Sequence, residues 1–460
     1  MRLTWAQPED LVPAEFAALR EQGVAESLLG AVEKRWADAG GSTVLAPSGA
    51  SDTPATAELR MLAREVLAEL QLLQQPSLDE PDDWNAIEAL LPDAPVFPAS
   101  VTFDRVHGAW AGRAAGCLLG KPVEKIPREG IEEIARATGN WPIRTYFTAQ
   151  GLPEEIAQRW PWNRRSAPTS LVENIDGMPE DDDLNFPILA LDLLEQHGAD
   201  LNTDDVAQAW LASLPAGRVF TAERAAYRNI LDARPVPETA THLNPFREWI
   251  GALIRADVHG WAHPGDVRGA AKSAWIDARL SHTRNGIYGE TWVAALCAAS
   301  LVAATADDVL DAGDAVVPPA SRLAAAVRLG RETGRALASG TLTTDAALDV
   351  LHAEFAGMHW VHTLNNAALI ACAVQAHGDD FGAAIALAVA GGWDTDSVGA
   401  TVGSVVGGLI GADRIDPAWT TPLRDSIATS MPGGAERSIR ELAERTMRLS
   451  EASSLSERSA

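Results

Sequence analysis

The chain has 460 residues, with 37 Lys and Arg against 63 Asp and Glu, giving a formal net charge of −26 and a pI near 4.7. A content of 47% hydrophobic and 22% charged residues excludes wholesale disorder. A surface this acidic repels phosphate backbones and anionic lipid, so no nucleic acid and no membrane is expected as a partner, while carboxylates are free to bind cations.

Residues 1–100 read as an N-terminal helical extension. Residues 13–38 have helical texture, and residues 40–57 form a Gly/Ser/Thr/Pro-rich linker. Thr53 followed by Pro54 predicts the start of the next helix, because Thr caps an N-terminus and Pro fits the first helical position. Leu59, Leu62, Val66, Leu70 and Leu73 then form one apolar stripe, which Pro76 ends, and a Pro-rich acidic connector runs to Pro98. Nothing catalytic is visible here. Docking or self-association is the expected role, and the chemistry of the rest is expected to survive without this region. The start of the chain lacks the apolar run of a signal peptide, and Cys117, Cys297 and Cys372 form neither a disulfide framework nor a zinc site, so a cytoplasmic protein is expected.

From Val101 the chain is Ala-rich with helical periodicity, which predicts an all-α domain over residues 101–450 and a short tail, 451–460. Gly108, Gly112, Gly116 and Gly120 fall every fourth residue, as do Gly399, Gly403, Gly407 and Gly411. Glycine inside a helix costs ~1 kcal/mol relative to alanine, so two ladders need a packing reason. A glycine stripe lets a neighbouring helix come close, and two tightly packed buried helices are expected. The longest uncharged apolar stretches, residues 292–306 and 397–412, fall short of the ~18–20 residues of a membrane span and read as buried helices.

Four segments carry candidate chemistry. Gly120-Lys121-Pro122-Val123-Glu124 closes the first ladder. Pro179-Glu180-Asp181-Asp182-Asp183 precedes a helical pattern through Ile188, Leu191 and Leu194. Ser281-His282-Thr283-Arg284-Asn285-Gly286 is polar and turn-like between helical stretches, a setting that often carries binding residues, although a single His is commonly a structural hydrogen-bonder. Gly391-Gly392-Trp393-Asp394-Thr395-Asp396-Ser397 precedes the second ladder. Both acidic clusters sit at helix N-termini, where negative charge is favoured, and for the first of them capping or a solvated loop is the ordinary explanation. The second has no Lys or Arg nearby and leads into an uncharged run, so its carboxylates are drawn inward and need a partner. Carboxylate and hydroxyl oxygens suit Mg²⁺, Mn²⁺ or Ca²⁺. An EF-hand starting at Asp394 fails, because Val398 and Val405 would stand where oxygen ligands belong. Asp394-Thr395-Asp396-Ser397-Val398 also fits the short haloacid dehalogenase-type phosphatase pattern, which requires a preceding hydrophobic strand; this is the weaker alternative. Thr203-Asp204-Asp205 imitates the acidic motifs but opens a helix and is assigned to capping.

In order, the four segments resemble the ADP-ribosylglycohydrolase family, which includes the dinitrogenase reductase activating glycohydrolase. Gly116-Cys117-Leu118-Leu119-Gly120-Lys121-Pro122-Val123-Glu124 matches its Gly-Asp-x-x-Gly-x-x-x-Glu except at Cys117. Glu180-Asp181-Asp182-Asp183 corresponds to Thr-Asp-Asp-Thr, Ser281-His282 to Ser/Thr-His, and the segment through Ser397 to Gly-Gly-Asp-Thr-Asp-Thr. The resemblance covers about residues 103–419. It implies a compact multi-helix all-α domain with two divalent cations, Mg²⁺ or Mn²⁺, held by Glu180, Asp181, Asp182, Asp394, Asp396 and Ser397. It further implies Glu124 and Asp182 as catalytic residues, and His282, Asn285, Gly286, Tyr288, Gly392 and Trp393 on the substrate side. Glu180 and Ser397 each replace a threonine, and the family's Asn-Gly-Gly diphosphate loop is poorly matched by residues 249–255.

The function so implied is hydrolysis of an N- or O-linked ribosyl group, an ADP-ribosyl group on a protein or small molecule in first place. The alternatives are a hydrolase of a smaller ribosyl N-glycoside, which the mismatched loop favours, and a non-catalytic member that binds a ribosyl ligand. Cleavage at ribosyl C1 passes through an oxocarbenium-like transition state, and cations can hold the ribose hydroxyls and activate water.

Overall fold

The computed structural model describes residues 3–46, 48–97 and 100–457, with side chains through residue 451. Pro98, at the end of the expected connector, and residues 458–460 of the expected tail lie outside the described residues. Among the described residues the chain is helical apart from turns and one antiparallel ribbon, Ser426–Ala428 with Glu436–Ser438. The all-α expectation holds. A helix, Phe381–Ala390, rather than a hydrophobic strand precedes Asp394, which removes the haloacid dehalogenase alternative. No described helix is long and apolar enough to cross a membrane.

The helical texture of residues 13–38 resolves into two helices, α1 (Pro8–Glu21) and α2 (Glu26–Asp38), because Gly23 turns the chain with φ +80°. Helix α3 (Ala57–Gln71) starts three residues later than predicted. Thr56, not Thr53, is its cap, accepting the Leu59 N–H at 3.2 Å. Its buried face, Ala63, Val66, Leu67 and Leu70, lies against α1.

The extension is a layer of the main core. Trp5, Leu11, Phe16 and Val66 belong to the same buried apolar cluster as the rest of the chain. Buried Glu15 pairs with buried Arg247 at 2.9 Å, Glu80 pairs with Arg322 at 2.8 Å, and the Tyr288 hydroxyl donates to the Pro81 carbonyl. The expected detachable docking arm is therefore an integral part of the fold.

The two glycine ladders lie on α4 (Phe103–Gly120) and α8 (Thr395–Ile410), except that Gly411, with φ +84°, ends α8 rather than continuing it; between them along the chain come α5 (Asp182–His197), α6 (Asn285–Ser300) and α7 (Thr363–His377). A methyl group at Gly108, Gly112 or Gly116 would fall on the carbonyl of Gly407, Gly403 or Gly399, and the reverse substitutions meet the same obstacle. The ladders therefore pair with each other, antiparallel. This register brings the C-terminal end of α4 to the N-terminal end of α8, where the Thr395 hydroxyl donates to the Gly120 carbonyl at 2.9 Å. Helix α6 is buried on every side, as its uncharged run requires. The last helix, α9 (Ile439–Glu457), continues into the expected tail as far as its end.

Candidate metal centre and adjoining cavity

The paired ladders set the stage for the acidic residues. Asp394 and Asp396 open α8 and are 7% and 8% exposed. The Asp394 N–H donates to Asn366 Oδ1 at 3.2 Å, and Asp396 Oδ1 accepts the Ser397 N–H at 3.2 Å. Glu124 follows α4 and is held by Asn163 and by Lys125 at 3.1 Å.

The other acidic cluster enters from α5. Asp181 caps this helix, its Oδ1 accepting the Asp183 N–H at 2.9 Å, while its Oδ2 pairs with the buried Lys121 ammonium. Lys121 also donates to the Glu180 carbonyl at 3.2 Å. Asp183 accepts from Ser397 Oγ at 3.1 Å and pairs with Arg113 at 3.3 Å. The fully buried Arg113 also donates to the Asp183 carbonyl at 2.7 Å and pairs with Asp257 at 2.8 Å.

Concentrated carboxylates resist ionisation together. Burial, then Asp181 and Asp396, pushes Asp182 well above the carboxylate range. Burial followed by Asp396 and Glu124 does the same to Asp394. Asp396 is raised to about 7 by burial, then Glu124 and Asp181. Asp181 moves the other way: burial raises it, but the Lys121 ammonium outweighs that and holds it low. Among the described residues no Lys, Arg or His nitrogen pairs with Asp182, Asp394 or Asp396. Buried Asp394 and Asp396 and half-buried Asp182, oxygen donors in that condition, fit a hard divalent cation. Cys117 Sγ lies within 4.8 Å of oxygens of Asp181 and Asp183, but burial holds its thiol far above its ordinary value, so it is no thiolate ligand.

Charge from Asp181 and Asp396 reaches Asp182, and charge from Glu124 reaches Asp394 and Asp396, so these carboxylates of the expected set share a neighbourhood; among the described residues, the groups of three ligand atoms within 4.8 Å of one another are Cys117–Asp181–Asp183 and His259–Asp277–Glu290. The Glu180 carboxylate is engaged elsewhere, by Arg218 at 2.9 Å and Asn185 at 3.2 Å. Asp183, not expected as part of the centre, stands beside Ser397. Arg113 and Lys121 were also missed. An arginine inside an apolar glycine ladder and a lysine at its last rung were the available signals.

The segment around His282 is interior. Ser281 Oγ and His282 Nδ1 are 2.8 Å apart, and Arg255 donates to the same hydroxyl at 2.9 Å while pairing with Glu223 at 2.6 Å and with Asp277. Asn285 donates to Glu248 at 2.8 Å and accepts the Leu323 N–H at 2.8 Å; Gly286 presses on the Arg247 carbonyl; Tyr288 binds Pro81. These expected substrate residues have structural partners. Residues 249–255 are likewise buried, with the Ile250 N–H on the Val361 carbonyl at 2.9 Å, and form no open loop.

Gly392 and Trp393 line a cavity of about 500 Å³ with Lys125, Trp249, His359 and Trp360. Helix α1 forms one further wall, through Ala14, Ala18 and Glu21. Trp393 stacks on His352 at 4.4 Å, and Trp249 on His359 at 4.3 Å. A larger groove of about 970 Å³, lined by Trp141, His377 and Arg414, shares no residue with the acidic clusters. Asn202 caps the Thr203–Ser213 helix and Asp205 reaches back to it, so the imitation motif is a capping box as assigned.

Ladder-paired helices that carry the first and last of four ordered motifs, with the second at the start of α5 and the third before α6, define the class, an all-α glycohydrolase fold. A family profile for ADP-ribosylglycohydrolase matches residues 98–456, and the chain belongs to that family. A solved structure described as an ADP-ribosylglycohydrolase-related protein complex is similar at 20% identity and a TM-score of 0.44, covering 76% of this chain and 98% of that one. No curated protein sequence matches the chain.

Proposed function

We propose that the protein is a divalent-metal-dependent glycosyl hydrolase that cleaves an N- or O-linked ribosyl group, in first place an ADP-ribosyl group on a small molecule or protein, in the cytoplasm. The observation that carries this reading is the crowding of half-buried Asp182 and buried Asp394 and Asp396, each raised by neighbouring carboxylates and none held in a described salt bridge, in a chain of this family. Bound Mg²⁺ or Mn²⁺ supplies Lewis-acid attraction for ribose hydroxyls and water. Asp182, Asp394 and Asp396 hold the ion, and Ser397 Oγ keeps Asp183 in register with them. Glu124, positioned by Asn163, accepts the proton of the attacking water as the bond at ribosyl C1 opens. Trp393 offers its edge of the cavity to the leaving group.

Turnover of ADP-ribosyl-arginine, ADP-ribosyl-serine and simple ribosyl N-glycosides with Mg²⁺ or Mn²⁺ tests the reading. ADP-ribosyl turnover that chelator abolishes and metal restores is the expected result. Tight ADP-ribose binding without turnover of any substrate makes the protein a binding member instead. One observation favours the smaller N-glycoside: the buried 249–255 segment leaves no open diphosphate loop, and α1 walls the cavity. Reaction of the small glycosides alone would establish that second reading.

A further inference from the structure

The donor inventory of the centre is uneven. Both Asp181 oxygens are taken, one by the Asp183 N–H and the other by the Lys121 ammonium. Both Asp183 oxygens are taken, by Arg113 and Ser397, and both Glu180 oxygens by Asn185 and Arg218. Among the described residues no salt bridge engages Asp182, Asp394 or Asp396, although the Lys121 ammonium also eases the ionisation of Asp182 and Asp396 from further off. One small divalent ion with retained waters needs no more than such a set, since Mg²⁺ is commonly held by one or two carboxylates. A second ion would need oxygens that Lys121, Arg113 and Arg218 already hold.

Lys121 is no surface residue that strays inward. It is 6% exposed, and the α4–α8 register fixes it at the last rung of the ladder, with Gly120 against Thr395. Its ammonium is a point charge with three donors and can stand where a cation would bridge Asp181 to the rest of the centre. We propose that the Lys121 ammonium occupies the place of the second of the two expected cations, so that the centre binds one divalent ion per chain. This rests on the metal-centre reading above and specifies its stoichiometry.

The test is a count of bound Mn²⁺ on the full-length protein, by equilibrium dialysis with elemental analysis, alongside electron paramagnetic resonance for coupling between two ions. One uncoupled Mn²⁺ per chain is expected, rising two-fold with a coupled signal in Lys121→Ala. Lys121→Met keeps the aliphatic stem and its packing and serves as the second uncharged variant. Two ions on the unaltered chain overturn the proposal while leaving the metal centre standing. A count of one in both the unaltered chain and a folded, uncharged variant also overturns it. No bound Mn²⁺ in any of them removes the metal reading itself.

Discussion

Glu124 and Asp394 stand beside helix ends 275 residues apart in sequence, Gly120 and Thr395, yet Glu124 adds to the cost of ionising Asp394. Single substitutions separate their roles. Asp394→Asn or Asp182→Asn is expected to lower Mn²⁺ occupancy and hydrolysis together, measured on the same preparation by metal content and substrate turnover. Asp204→Asn in the exposed capping box is the control, costing at most ~1 kcal/mol of stability and no activity. Glu124→Gln keeps size and removes charge, so ribosyl-ligand binding should persist while turnover falls by ~10²-fold or more. Wild-type turnover in that variant would remove Glu124 from the reaction. The sequence showed which carboxylates are crowded, because burial of Asp394 follows from the uncharged run behind it. It did not show that Glu180 turns to Arg218, since side-chain direction depends on a partner 38 positions away in a different segment.

Helix α4 and helix α8 meet through backbone, and this makes their contact unusually intolerant. A methyl group at Gly403 falls on the Gly112 carbonyl, an atom that cannot rotate away. Gly403→Ala is expected to cost about 1–3 kcal/mol through overpacking and to weaken Mn²⁺ binding, because the ladder register sets the distance between Glu124 and Asp394. Denaturant unfolding and Mn²⁺ titration read the two effects. Gly30→Ala on α2 meets no atom within 4 Å, and should stabilise by about 0.5–1 kcal/mol through helix propensity. Elements of this kind were legible because a four-residue glycine period has few physical explanations. The start of α3 was less so: Thr53 and Thr56 are both plausible caps, and only the contact with the Leu59 N–H decides between them.

At the scale of the whole molecule, residues 3–97 close one side of the core and one wall of the cavity. Cutting the chain near residue 100 strips Arg247 and Arg322 of Glu15 and Glu80. Arg322 keeps Glu248 at 2.6 Å, but the Arg247–Glu15 pair is fully buried, and losing one partner of such a pair costs ~3–5 kcal/mol, a large share of an ordinary stability of about 5–15 kcal/mol. The shortened chain is expected to be insoluble or unfolded, as solubility and far-ultraviolet circular dichroism will show; a soluble, cooperatively folded fragment would contradict this. Acid probes the same seam. His359 packs between Trp5 and Trp249, and burial, then His362, lowers its pKa to about 3. The unfolded chain takes up this proton below about 6.5 and the folded chain only near 3, so the stabilisation is complete above 6.5 and is lost as pH falls through that window, by at most ~1.4 kcal/mol per pH unit. Tm should therefore drop less between pH 7 and 4 in His359→Phe than in the unaltered protein. The sequence hid this seam because the extension's partners lie in segments far along the chain, beyond any local period.

That separation also sets an order of events. The extension leaves the ribosome well before its partners, for Arg247, Tyr288, Arg322 and His359 follow it by 150 residues or more. At ~5–20 residues per second, Trp5 waits roughly 20–70 s for its partner His359 to be made. A segment made this early thus docks late, and the cavity beside Trp393 acquires its wall only after His359 and Trp393 themselves have been made.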